Sequence, residues 1–400
     1  MGSIRLHRPA ANRRRVLVVA GEASSDLHCA SLINELKSLR PDLGFVGVGG
    51  ENMRAQGVEL FADVRELGVV GVSEVFKKLS RILAAYRQAT RLMRSGEIAA
   101  AIFVDYPDFN LRLAARARKC EVPVLYYISP QVWAWRRGRV RRIAQLVDEM
   151  LVLFQFEKEL YELAGVDVRF VGHPLLDTVK PTLDKEEFLE RVRFDQGKPV
   201  VALLPGSRTS EIERLLPVFL EAARFASSLL DSKPLQMILA LAKTIDPKLV
   251  AHMLSRYPEV VVVRGQTYDA LAASDAALVA SGTATLEAAI LGVPMIVGYK
   301  VSFPTYLVGK LLIRVDHVAL PNIIAGKRVV PELIQSDLTP ERLGRELASL
   351  LEDAGLRKQQ KDELKRVTGL LGECGASKRA AGFVAEFLGK TMPPDGSART

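Results

Sequence analysis

The sequence predicts an α/β chain of two doubly wound, Rossmann-like domains facing each other across a cleft, followed by C-terminal helices, and three observations carry that expectation. Short β-branched runs alternate with longer amphipathic segments as far as VRFVG near Phe170; a second series of the same kind opens at VVALLPGS; and the turns rich in small residues fall at the ends of strand-like runs. Taken in order, the first series is VLVVA before SLINELKSL, FVGVG before ENMRAQG, AAIFVDYP before NLRLAARARK, then VLYYIS, EMLVLF before EKELYELAG, and VRFVG. A period of 2 or a continuous apolar run marks each strand, and a period of 3.6 marks each helix. The second series is VVALLPGS, a helix from about Ser210 to Leu230, LQMILALA, VVVVRG, AALVASG, a helix over Thr285 to Leu291, and PMIVGYKV. Residues from Thr339 to about Gly389 are helical by period.

The charged stretch Pro174 to Lys198 interrupts the strands and reads as the linker. The expected divisions are a basic tail over 1–14, a first domain over 15–180, a second over 181–370, a helix over 371–390 that packs back on the first domain, and a disordered tail over 391–400. A chain of 400 residues, 48% hydrophobic and 25% charged, has the composition of a globular protein and the length for more than one core. Its net charge is 55 − 46 = +9, and Arg5, Arg8, Arg13, Arg14 and Arg15 hold five of the positive charges near the N-terminus. That excess suits a phosphorylated substrate, an anionic membrane or nucleic acid alike. Cys29, Cys120 and Cys374 match no disulfide framework and no metal knuckle, which suits a reducing cytoplasm. No apolar run reaches the ~20 residues of a membrane-spanning helix, so any membrane contact is expected to be peripheral.

In the first domain, Ala20 to Asp26 (AGEASSD) joins a strand to a helix whose free N–H groups suit an anion, with a plain capped turn as the alternative. In VDYPDFN, Asp105 and Asp108 flank Pro107 at a strand end. One of them could act as a general base, or both could cap a helix starting near Asn110. The chain holds no DxD pair, so no divalent-metal site for a nucleotide diphosphate is expected. The five histidines, His7, His28, His173, His252 and His317, show no metal-binding spacing.

In the second domain, Pro205-Gly206-Ser207-Arg208 ends a strand, and Arg208 offers a bidentate fork for a phosphate. Ser281-Gly282-Thr283 sits at another strand-to-helix junction, and Glu287, one turn further on, could reach ribose hydroxyls. Two anion sites in one domain favour a nucleotide diphosphate over either ligand fragment alone. The loop with Val69 and Val70 and the helix with Phe76, Leu79, Ile82 and Leu83, interspersed with lysines and arginines, read as a surface for an anionic bilayer or as an ordinary core-facing helix. Both tryptophans lie in ISPQVWAWRRGRVRR, where Ser129 to Trp135 reads as a cleft wall. The arginines after it read as a solvated helix buried through Val140, Ile143, Ala144, Val147 and Leu151, with Arg136 and Arg137 near enough to the loop to meet a phosphate.

Together AGEASSD, VGVGGENM, GVVGVSEV, VDYPDFN, ISPQVWAW, VGHPLLD, LLPGSR, ASGTATLEAAILGVPMIVGY and LPNIIAG, in this order, resemble the lipid-A-disaccharide synthase family from about Arg15 to about Gly389. Ser25 stands where the family usually has Gly, and Gln131 where it commonly has Ser. The resemblance implies a GT-B glycosyltransferase joining UDP-2,3-diacylglucosamine to 2,3-diacylglucosamine 1-phosphate (lipid X), with inversion to a β-1,6-linked disaccharide and release of UDP. It implies a peripheral place on the cytoplasmic face of the inner membrane of a Gram-negative bacterium, no metal or other cofactor, no nucleic acid, and a homodimer as one oligomeric option. For residues it implies Asp105, with Asp108 as rival, as base; Gly206, Ser207, Arg208, Ser281, Gly282, Thr283 and Glu287 at the donor; and Gly21, Glu22, Ser24, Asp26, Ser129, Trp133 and Asn322 around the acceptor and cleft. Membrane contact falls to Val69, Val70, Phe76, Leu79, Ile82 and Leu83. Competing readings are another UDP-sugar enzyme of the same fold, either a soluble-acceptor transferase or a UDP-N-acetylglucosamine epimerase, and a nucleic-acid-binding protein using the Trp/Arg stretch. The last would want aromatics spread over a basic platform.

Overall fold

The computed structural model describes residues 14–67, 75–132, 138–230, 234–302 and 316–391. The chain forms two compact units, one of residues 1–174 with 373–400, the other of residues 175–372.

The first unit is built on seven parallel strands: β1 Arg14–Ala20, β2 Leu43–Gly49, β3 Glu59–Asp63, β4 Ile98–Val104, β5 Val124–Tyr127, β6 Glu149–Val152 and β7 Asp167–Phe170. Their order in the sheet is β3-β2-β1-β4-β5-β6-β7. Helices cover both faces, so the central strands are apolar on both sides, and Val16 to Ala20 and Ala100 to Val104 are fully buried. Strands β1 and β2 approach so closely that a Cβ at Gly47 would lie 1.7 Å from the Val18 carbonyl oxygen. Only glycine fits that crossing.

The second unit has six parallel strands: β8 Val200–Leu204, β9 Gln236–Leu241, β10 Val260–Arg264, β11 Ala276–Ala280, β12 Met295–Tyr299 and β13 Glu332–Ile334, in the order β10-β9-β8-β11-β12-β13. Each sheet therefore reverses its winding once, between β1 and β4 and between β8 and β11. Crevices at the carboxyl ends of strands open at such reversals.

The unit boundary lies at Pro174/Leu175 and not at residue 180. The charged stretch after it is part of the second unit. Asp269 accepts hydrogen bonds from the Thr182 and Leu183 amides at 2.5 and 3.0 Å, and Asp184 caps the helix Lys185–Arg191, whose Phe188 and Leu189 are buried in the second core. Charge in that stretch lies on the solvent side of a docked helix, which periodicity over seven residues does not reveal.

The chain ends in the helices Pro340–Glu352, Ala354–Leu370 and Ala376–Thr391. The last belongs to the first unit, where it packs on the helix Ala23–Leu39. Arg379 Nε donates to the Val171 carbonyl at 2.9 Å, and Arg169 lies over the Phe383 ring at 5.4 Å. The basic helix after ISPQV is shorter than expected, Arg139–Ala144, with Val140 and Ile143 buried; Leu151 belongs to β6. Among the described residues no helix is long and apolar enough to cross a membrane.

Candidate active site

Strand β4 runs straight into the strained turn that carries Asp105. Asp105 and Tyr106 both have positive φ, 48° and 49°, which costs a non-glycine residue about 1–3 kcal/mol each. The turn is held by its backbone. The Asp105 carbonyl accepts from Asn110 Nδ2 at 2.7 Å and from the Tyr126 hydroxyl at 2.6 Å, while its amide donates to the Tyr127 carbonyl at 3.0 Å. The helix that follows, Pro107–Lys119, begins at the proline, and no side chain caps it, so neither aspartate is spent as a cap. Gly21 at the end of neighbouring β1 makes room for the turn, because a Cβ there would stand 2.1 Å from the Tyr106 ring.

The electrostatics separate the two aspartates. Burial pushes the Asp105 carboxyl up to about 6, and the charge of Glu22 across the strand ends adds to the rise, offset in part by the Tyr106 amide. A carboxyl of that kind is poised to take a proton near neutral pH. Asp108 instead is exposed and paired with Arg139 Nη2 at 2.9 Å. Glu22 and Ser24 are exposed at the head of Ala23–Leu39, where Glu22 stands at the N-cap position without capping through its side chain.

Three residues expected around the acceptor have other work. Asp26 is 2% exposed, and its carboxylate accepts from the amides of Gly50, Asn52 and Met53 and from Asn52 Nδ2, which makes it the cap of the helix Glu51–Ala55. Ser129 is buried and donates to Glu157 at 2.6 Å. Asn322 is fully buried: Oδ1 accepts from the Val329 and Val330 amides, and Nδ2 donates to the Val330 carbonyl and to Glu332. All four of its hydrogen-bonding positions are filled, so it braces the loop after LPNIIAG and has none left for a ligand. Trp133, Arg136, Arg137, Val69 and Val70 and the side chain of Phe76 lie outside the described residues. Ile82 packs against the first core, a correction to its expected membrane role, whereas Leu79 and Leu83 are 46% and 42% exposed.

Ser25, beside Asp26, is 1% exposed and its hydroxyl has no hydrogen-bond partner. An unsatisfied buried hydroxyl costs about 1–3 kcal/mol. Ser25→Ala is therefore expected to raise the melting temperature by several degrees in a thermal scan; a lower value would mean that the hydroxyl has a partner in solution.

In the second unit the turns expected to hold a diphosphate meet in one cavity of about 350 Å3, lined by Gly206, Ser207, Arg208 and Glu211 after β8, Ser281 to Ala284 and Glu287 after β11, and Thr267. The cavity lies at the carboxyl ends of the two strands that flank the reversal of the sheet. Gly206 takes φ +116°, and a Cβ there would lie 2.2 Å from Glu211 Oε2. That oxygen accepts from the amides of Ser207 and Arg208 at 2.9 and 3.2 Å. Glu211 thus closes the turn at the head of the helix Thr209–Leu229. The Arg208 side chain is 81% exposed, with Nη1 3.4 Å from Glu211, and remains available to a ligand anion. Ser281 Oγ is engaged, donating to the Val318 carbonyl at 2.7 Å, so the junction can offer a ligand its backbone more readily than this hydroxyl. Burial pushes the Glu287 carboxyl up, and the Tyr268 hydroxyl, donating at 3.2 Å, opposes the rise.

The sequence reading missed Tyr268, Thr267 and Tyr299. Tyr299 ends β12, and its hydroxyl is raised by burial and by Glu211 and lowered by Arg208, which places it beside that pair. A tyrosine at a strand end next to the reversal was the available signal. It also missed Asn110 and Tyr126, which hold the Asp105 turn. A larger cavity of about 460 Å3, lined by Val329, Val330, Gln360 and Glu363, lies elsewhere in the second unit. Part of its polar lining is committed: Gln360 accepts from the Met295 amide, and Lys327 pairs with Glu363. Among the described residues no three His, Cys, Asp or Glu side chains are grouped to hold a metal.

Comparison with known proteins finds relatives over nearly the whole chain. The family profile described as lipid-A-disaccharide synthetase matches residues 16–387. The lipid-A-disaccharide synthase of Syntrophus aciditrophicus is 48% identical over 382 residues, covering 95% of this chain and 99% of that protein. Among solved structures, a provisionally named UDP-N-acetylglucosamine 2-epimerase of Listeria monocytogenes aligns with a TM-score of 0.62 at 13% identity over 97% of this chain and all of the other. The calicheamicin glycosyltransferase CalG4 aligns with 0.58 at 17% identity over 95% of this chain and all of the other. At those identities the two structures speak to the fold alone, the GT-B arrangement of two Rossmann-like units.

Proposed function

The chain belongs to the lipid-A-disaccharide synthase family, and from that premise we infer that it is a glycosyltransferase joining UDP-2,3-diacylglucosamine to 2,3-diacylglucosamine 1-phosphate, with UDP as leaving group. The observation that supports this reading most is the convergence of Arg208, the Ser281–Thr283 turn and Glu287 in one cavity at a sheet reversal, where a nucleoside diphosphate fits. In the proposed reaction Asp105 takes the proton of the acceptor hydroxyl as its oxygen attacks the anomeric carbon from the face opposite UDP. The bond from that carbon to the diphosphate breaks, its electron pair leaves with UDP, and the configuration inverts. Arg208 and the turn amides stabilise the developing phosphate charge, and Glu287 holds the ribose. Charge neutralisation is assigned to these groups, and no metal takes part.

Incubating the protein with both substrates, with and without chelator, tests this: UDP and disaccharide should form in equal amounts in both arms. Absence of UDP would overturn the reading, and loss of activity with chelator would overturn its metal-free form.

The proposed site of action is the cytoplasmic face of the inner membrane, docked peripherally, because the substrates carry acyl chains and Leu79 and Leu83 stand exposed on the helix Val75–Arg94 among exposed Arg81, Arg87, Arg91 and Arg94. Each half-exposed leucine is worth about 1 kcal/mol, or roughly five-fold in partitioning. The pair Leu79→Ser and Leu83→Ser should lower co-sedimentation with phosphatidylglycerol vesicles by more than ten-fold at unchanged circular dichroism. Undiminished sedimentation would remove this helix from the docking surface.

A further inference from the structure

Beside the Asp105 turn lies a small cavity of about 180 Å3 in the first unit, lined by Pro107, Asp108, Leu111, Arg112, Arg139 and Arg142. We propose that it is the seat of a phosphate monoester, the 1-phosphate of the acceptor; the inference rests on the glycosyltransferase reading above. Two helices supply the walls. Asp108, Leu111 and Arg112 fall at i, i+3 and i+4 on Pro107–Lys119, and Arg139 and Arg142 fall at i and i+3 on Arg139–Ala144, so each group shares a face.

The charges match one kind of ligand. Arg139 is tied to Asp108 at 2.9 Å, whereas the guanidinium groups of Arg112 and Arg142 make no hydrogen bond or ion pair with a described residue. Three cations against one carboxylate leave the described lining with a surplus near two positive charges, and a phosphate monoester carries about −1.5 to −2 at neutral pH. A guanidinium fork binds phosphate oxygens in pairs. Pockets that hold a whole small ligand measure roughly 300–1,000 Å3, so this one takes a head group and leaves the sugar outside. Position agrees with charge, since Pro107 joins the cavity to the residue proposed as base. A phosphate held there ties down the end of the acceptor remote from its attacking hydroxyl.

The test is the double variant Arg112→Gln with Arg142→Gln, at two exposed positions whose loss leaves the described packing intact. Wild type and variant are compared in detergent micelles on 2,3-diacylglucosamine 1-phosphate and on the same diacylglucosamine without phosphate, and their binding to phosphatidylglycerol vesicles is measured in parallel. The proposal expects KM for the phosphorylated acceptor to rise roughly ten-fold or more. It also expects the preference for that acceptor over the unphosphorylated one to collapse, with donor KM and vesicle binding within two-fold of wild type. An equal loss on both acceptors, or no loss on either, overturns it. A loss that tracks reduced vesicle binding overturns it in favour of contact with bulk lipid head groups. Absence of UDP release by the wild type would sink the glycosyltransferase reading itself, and this proposal with it.

Discussion

Asp105→Asn should lower kcat by about 10²–10⁴-fold while leaving KM for the UDP-sugar near its wild-type value, because it removes the proton acceptor and touches nothing at the donor cavity. The neutral amide keeps the shape of the side chain, and the strained turn is held through the Asp105 backbone by Asn110, Tyr126 and Tyr127, none of which the substitution disturbs. With the carboxyl pushed up to about 6, wild-type kcat/KM should rise with pH through that value and fall about ten-fold per unit below it. The sign for stability is opposite. A carboxyl whose folded pKa lies above its unfolded value of about 3.9 favours the fold when protonated, and that contribution is lost as pH rises through about 6. At pH 8 the variant, neutral at this position, is expected to melt no lower than wild type, with a gain of at most on the order of 3 kcal/mol. Activity near wild type in Asp105→Asn would move the base elsewhere; low activity with a lowered melting temperature would mean that folding, not chemistry, was lost.

Arg208→Ala should cost about 10²–10³-fold in kcat, the range seen when one preorganised donor to a developing anion is removed. The prediction separates chemistry from scaffold because the turn is closed by Glu211 on the Ser207 and Arg208 amides, which the substitution keeps. The melting temperature should stay within a degree or two. Arg208→Lys should recover only part of the rate, since an ammonium is a point charge without the bidentate fork. Steady-state kinetics at saturating donor decide the matter, and an unchanged kcat with a raised donor KM would demote Arg208 from transition-state stabilisation to ground-state binding.

How much of this was readable beforehand differs between the two units. PGSR and SGTATLE announce themselves as strand-to-helix turns, and both line the cavity of the second unit, because parallel strands with right-handed crossovers bring such turns to one sheet edge. VDYPDFN was legible as a strand end carrying two aspartates, but spacing treats Asp105 and Asp108 alike. Burial beside Glu22 separates one from the exposed ion pair of the other with Arg139, and neither circumstance is local in the chain. Asp26, Ser129 and Asn322 show the converse. Each looks like a ligand-binding polar residue in a motif, and each is filled by amides or a carboxylate brought from elsewhere in its own unit.

By itself the sequence determined the class of the fold, its two sheets and the turns that carry chemistry, because apolar period and small-residue turns are written in neighbouring positions. Tertiary structure alone decided which polar groups are free. It seated Ile82 against a core while leaving Leu79 and Leu83 exposed, drew Arg112 and Arg142 to one cavity, and raised Asp105 toward neutral pH. Desolvation and hydrogen-bond saturation depend on what packs against a group from distant parts of the chain, and no local pattern encodes them.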